Sequence, residues 1–224
     1  MPPTFSRQNL SDTILGAMQR SVPKYRDMTG MDVFRAPESF FSVAIADEIH
    51  RKLTSKKGFV ALEQLAGSIL RDANARTRGP LQKRMRRGKY DLVVFYDNGN
   101  PRAVVEVKTN VYKYAMVSPD IERLSNTVKK NIDRSTLQVG VFVYFCAAWA
   151  ETKKSEATGE NELKRVKRIE ESVRKHLSKR KFKDLDVLFD HRHIKNRRKD
   201  NLSVVAGIVS IWRKPRGRRA IQSK

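Results

Sequence analysis

Hydrophobic spacing changes period several times along the chain, and each change marks an element. Residues 37–53 repeat Phe41, Ala44, Ile45, Ile49 and Leu53 at helical spacing, with Pro37 near the first turn, where a missing N–H is harmless. Glu48 falls inside that apolar stripe, one turn after Ala44, while Asp47 and Arg51 fall outside it. Around residues 89–108 the period shortens to two. Two runs rich in Val, Phe and Tyr flank Asp97-Asn-Gly-Asn-Pro101, the pattern of a β-hairpin with a glycine-containing turn. Ser118 opens a helix through about Asp133, with Ile121, Leu124, Val128 and Ile132 on its apolar face. Val139–Trp149 is apolar throughout, as suits a central strand covered on both faces. Residues 162–181 form a long amphipathic helix with Leu163, Val166, Ile169, Val173 and Leu177 inward and Lys164, Lys167, Arg168, Arg174 and Lys175 outward.

The remaining stretches are shorter. Ser11-Asp12 caps a short helix over Thr13–Met18 that ends before Pro23, and residues 24–36 read as a loop containing Gly30. Gly58–Glu63 is a strand or the start of a helix through Ala75, and period alone does not decide between them. Residues 152–161 are a polar linker, while 186–190 and 201–212 are strands joined by a basic loop over 190–199. The domain reading is an N-terminal arm with a short helix (1–36), a single domain (37–213) and a basic tail (214–224).

Chemistry concentrates on the hairpin. Side chains alternate along a strand, so Glu106 and Lys108 leave one face while Val105 and Val107 leave the other. Folding about residues 98–100 carries Asp91 to within cross-strand reach of Glu106–Lys108. Charges set among Val, Leu and Phe are costly unless they pair or bind a cation. A structural ion pair of Asp91 or Glu106 with Lys108 is the plainer explanation, and a cation site the sharper one.

Composition adds a partner. Lys and Arg number 47 against 24 Asp and Glu in 224 residues, a net charge of +23, and such a field attracts nucleic acid. No stretch approaches the ~20 apolar residues of a membrane span, and the N-terminus lacks a secretory apolar core. A single cysteine, Cys146, rules out an internal disulfide and a thiolate-rich zinc site, and agrees with a reducing, cytoplasmic setting. His191 and His193 lack the further ligands that a zinc or His-Asn-His reading needs.

Asp91, Glu106, Val107 and Lys108, an Asp followed across a hairpin by Glu-x-Lys, resemble the PD-(D/E)xK nuclease superfamily. Tyr90 stands where the family usually has proline. The resemblance covers roughly residues 38–149. It implies an α/β, restriction-endonuclease-like αβββαβ core: a mixed central sheet flanked by helices, here with C-terminal helix and strand additions. It favours a strand at 58–63, followed by a helix. It further implies Mg²⁺, with Mn²⁺ as a substitute, held by Asp91, Glu106, the Val107 carbonyl and Glu48, since the family's first helix often donates a glutamate. Lys108 would orient or deprotonate the attacking water. A buried Arg or Lys paired with Glu48 is the alternative for that residue.

Arg76, Arg78, Lys83, Arg84, Arg86, Arg87 and Lys89 lead directly onto Asp91, where they are expected to grip DNA phosphates. Together these features predict a metal-dependent DNA endonuclease acting on double-stranded or branched DNA, either sequence- or structure-specific, with a homodimer compatible with both. The alternatives are a non-catalytic basic nucleic-acid-binding module on the same fold, or an RNA-binding protein.

Overall fold

The computed structural model describes residues 7–53, 58–75, 88–129, 134–149, 160–194 and 202–214. Their framework is one six-stranded mixed sheet. The strands are β1 (Gly58–Leu65), β2 (Lys89–Tyr96), β3 (Pro101–Lys108), β4 (Val139–Trp149), β5 (Leu185–Ile194) and β6 (Leu202–Arg213), in the order β1-β2-β3-β4-β6-β5. Only the β3–β4 pair is parallel. A parallel pair needs a crossover, and the segment carrying the helix at Ser118–Lys129 supplies it.

Among the described residues the α-helices are α1 (Arg7–Thr29), α2 (Glu38–Leu53), α3 (Ala66–Asp72), α4 (Ser118–Lys129) and α5 (Glu160–Leu177). Two cores lie on opposite faces of the sheet. Ile14, Leu15 and Met18 of α1 and Phe41, Ile45 and Ile49 of α2 pack on Leu92, Val94, Val105, Val107, Val141 and Val143. Ile69 of α3, Ile121, Leu124 and Val128 of α4, and Val166, Ile169 and Val173 of α5 cover Val93, Val104, Phe142 and Tyr144. β4 lies inside the sheet and contributes to both cores, which is why its sequence is apolar without alternation. Gly207 of β6 pairs with Tyr144, and any Cβ there would stand 2.4 Å from the tyrosine ring.

Two elements depart from the sequence reading. The first helix does not stop before Pro23 but runs to Thr29, with the proline inside it. Leu10, Ile14, Met18 and Tyr25 recur at helical spacing on its buried side, and Tyr25 meets the Phe40 ring edge-on at 5.1 Å. That packing outweighs the ~3 kcal/mol that an interior proline costs. Gly30, at φ 68, ends the helix and donates its N–H to the Arg26 carbonyl. The stretch Asp190–Ile194, expected as loop, is strand, paired residue for residue with Ile208–Val204. Its charged side chains are acceptable because β5 is an edge strand. No helix among the described residues is long and apolar enough to cross a membrane.

Candidate nucleic-acid-cleaving site

The β2–β3 ladder runs from Phe95↔Pro101 to Leu92↔Val105. Past that pair a side chain takes over: the Val107 N–H donates to Asp91 Oδ2 at 2.7 Å. The pleat changes phase at the same place. Leu92 and Val94 face α1 and α2, yet Tyr90 lies in the opposite core with Val93 and Phe95. Strict alternation would have put Tyr90 with Leu92. On β1, Glu63 lies between Leu62↔Leu92 and Gln64↔Tyr90 with φ 54, a left-handed conformation uncommon outside glycine. The irregularities of both strands therefore meet around Asp91.

Glu106 is buried at 6 % exposure. Arg123 of α4 places Nη2 2.5 Å from Glu106 Oε1, yet that oxygen is buried without a hydrogen bond, so the contact is one of charge and not of an aligned donor. Burial drives the Glu106 carboxyl up to about 9; Arg123 and Lys108 pull against that shift, and Asp91 and Asp120 add to it. Asp91 is also raised, first by burial and then by Glu38 and Glu63, with the Val107 N–H opposing. Lys108 Nζ stands 3.7 Å from Asp120 Oδ2, and Arg123 donates to Asp120 Oδ1 at 3.2 Å. Behind them the Tyr90 and Thr127 hydroxyls share a buried hydrogen bond of 2.5 Å. Asp91, Glu106 and Lys108 thus occupy one neighbourhood, with Arg123 and Asp120 as members that the sequence reading did not name. Helical spacing predicted α4, but not that its half-polar edge turns toward β3.

Glu48 lies elsewhere. It is buried at 7 % exposure and pairs with Arg20 of α1 at 2.5 Å and with Arg51 of its own helix. It borders a cleft of about 790 Å³ between α1 and α2. Pairing with arginine is the alternative that the sequence left open, although both arginine side chains are more than half exposed. The carboxylate of α2 that does reach the hairpin is Glu38, ten residues earlier and so ~15 Å away along the axis. The Thr109 N–H donates to Glu38 Oε1 at 3.3 Å, and the charge of Glu38 acts on Asp91. A first-turn acid after Pro37 looks like ordinary helix-dipole compensation, and that disguised it.

Of the expected phosphate contacts, Arg76, Arg78, Lys83, Arg84, Arg86 and Arg87 lie outside the described residues. Lys89 is exposed, with Nζ 3.5 Å from Glu63 Oε2.

Among the described residues no group of three or more His, Cys, Asp or Glu side chains is arranged to hold a metal. What could receive a divalent cation is smaller: two neighbouring carboxylates, both shifted toward protonation, with Glu106 Oε1 in charge contact with the Arg123 guanidinium. Mg²⁺ commonly takes only one or two protein carboxylates and completes its shell with water and substrate phosphate. Comparison of the chain with protein-family models, with curated proteins and with solved structures finds no match.

Proposed function

We propose that this protein is a metal-dependent DNA endonuclease on a restriction-endonuclease-like core, working in the cytoplasm. The observation that carries the reading is the convergence of Asp91 and Glu106 where the β2–β3 ladder ends, with Lys108 two residues further on. The chain order α2, β1, β2, β3, α4, β4 supports it, with the short α3 as an insertion. So does a net charge of +23, which suits a polyanionic substrate.

Asp91, Glu106 and the Val107 carbonyl would hold Mg²⁺, and Glu38 is better placed than Glu48 to join them. Bound there, the cation supplies a Lewis acid for the phosphoryl oxygens and lowers the pKa of a coordinated water. Lys108, about one-third exposed, is free to turn from Asp120 toward the attacking water, orienting it or taking its proton. Arg123 stands against the protonated Glu106 before substrate arrives, and its guanidinium is a natural phosphate partner once Glu106 gives up its proton to the cation site.

One observation favours the second reading, a non-catalytic nucleic-acid-binding module: a cation, Arg123, already stands against Glu106. Incubating the protein with supercoiled, linear, single-stranded and branched DNA, in Mg²⁺ or in EDTA, separates the two. Mg²⁺-dependent strand scission supports the nuclease. Binding without scission of any substrate in either condition leaves the module.

A further inference from the structure

Four residues past Lys108 the chain turns an aromatic ring outward. Tyr112 is 49 % exposed, and the backbone beneath it is pinned on two sides. The Val111 N–H donates to the Phe145 carbonyl at 2.9 Å, and the buried Cys146 thiol donates back to the Val111 carbonyl at 3.1 Å. Asn110, at φ 55, anchors the segment from the other side by donating from Nδ2 to the Phe34 carbonyl at 2.6 Å. A large ring held at the surface by buried neighbours gains little for the fold itself. Phe59, by comparison, is similarly exposed but lies flat on Phe95 at 4.6 Å.

One cation stands directly against Tyr112. The Arg165 guanidinium lies over its ring at 5.5 Å, at the start of α5. From there the exposed ridge of α5 carries Lys164, Lys167, Arg168, Arg174 and Lys175, with Glu171 the one acid among its described exposed positions. Lys164 to Lys175 spans ~16 Å along the helix. At its other end the platform is tied to the candidate centre. Tyr112 stands four positions past Lys108, so their Cα atoms are at most ~14 Å apart. Lys108 reaches α4 and Tyr112 reaches α5, and both helices cover the same face of the sheet.

We infer that Tyr112, backed by Arg165, is a stacking platform for an unpaired base, and that the α5 ridge guides the phosphates of a single-stranded segment toward the hairpin. A duplex cannot offer a ring face to Tyr112 without unstacking, whereas a flap, a gap or a single-stranded arm offers one directly. The preferred substrate is therefore nucleic acid with a single-stranded part. The inference rests on the nucleic-acid side of the proposed function and not on its chemistry.

Binding is measured by fluorescence anisotropy in EDTA, using a labelled single-stranded oligodeoxynucleotide and a duplex of the same sequence. Tyr112→Ala is expected to weaken single-strand binding about tenfold, within the range for one stacked base, and to leave duplex binding within about twofold. Tyr112→Phe, which keeps the ring, should stay within about twofold of the parent on both. Tyr112→Leu, of similar bulk without a ring face, should behave like Tyr112→Ala and covers the case in which the alanine variant melts early. Equal losses on both probes, or no loss on either, would overturn the platform. Because no scission is needed, a protein that never cleaves but shows the selective loss keeps this inference and drops the nuclease. A protein that cleaves without the loss does the reverse.

Discussion

A carboxylate buried between apolar strands needs a proton, a guanidinium or a metal, and Glu106 has the first two within reach. Its folded-state pKa, about 9, lies above the ordinary 4.5. Between those values the folded protein retains a proton that the unfolded chain has released. The stability tied to that proton is complete below the unfolded value and is lost as pH rises toward the folded one, at up to ~1.4 kcal/mol per pH unit. Glu106→Gln removes this dependence. The melting temperature of the variant relative to the parent should climb steadily between about pH 5 and about pH 8, and a flat difference would contradict a protonated Glu106. Glu38 and Glu48 make a second residue-scale test. Glu48→Gln should lower stability by ~1–2 kcal/mol, because its arginine partners are exposed enough to rehydrate, and should leave the Mg²⁺-induced rise in melting temperature intact. Glu38→Gln should shrink that rise with little change in the metal-free melt. If Glu38→Gln keeps the full rise, Glu38 has no part in holding the cation.

At the scale of elements, what the sequence made legible was whatever one residue period describes. α2, β4 and the β2–β3 hairpin follow from spacing and turn chemistry alone. The full length of α1 did not, because Pro23 is a strong local stop signal and the packing that overrides it comes from distant β6 and α2. Ser11 of α1, for example, meets Ser210 of β6 in a buried hydroxyl contact of 3.3 Å. The end of β5 was hidden because Asp190-His-Arg-His reads as solvent-loving, and only its edge position makes it a strand. In the candidate site, Asp91 and Glu106 could be placed by hairpin arithmetic, whereas Arg123 and Glu38 arrive from helices whose rotation about the sheet no local pattern encodes. The packing of α1 gives an element-scale prediction. Leu15 is fully buried in the first core, so Leu15→Ala should cost ~3 kcal/mol in chemical denaturation. A loss below ~1 kcal/mol would mean that α1 is a detachable arm.

For the whole molecule the dominant quantity is charge. An excess of 47 basic over 24 acidic residues makes association with any polyanion salt-dependent. Each phosphate neutralised contributes ~0.9 to the log–log slope of affinity against salt for duplex DNA. Replacing Arg84, Arg86 and Arg87 together by Ala should flatten that slope, and an unchanged slope would return the run to plain solvated surface. Charge alone, however, describes a binder as well as a nuclease, so the hairpin decides between them. The most direct measurement is single-turnover scission of supercoiled DNA in Mg²⁺ by the parent and by Glu106→Ala, with binding followed in parallel. Scission by the parent that EDTA stops is expected, and none by Glu106→Ala, whose affinity for DNA in EDTA is unchanged because the carboxyl it lacks is protonated near neutral pH and repels no phosphate. Undiminished scission by Glu106→Ala, or a parent that binds DNA and never cuts it, would contradict the nuclease.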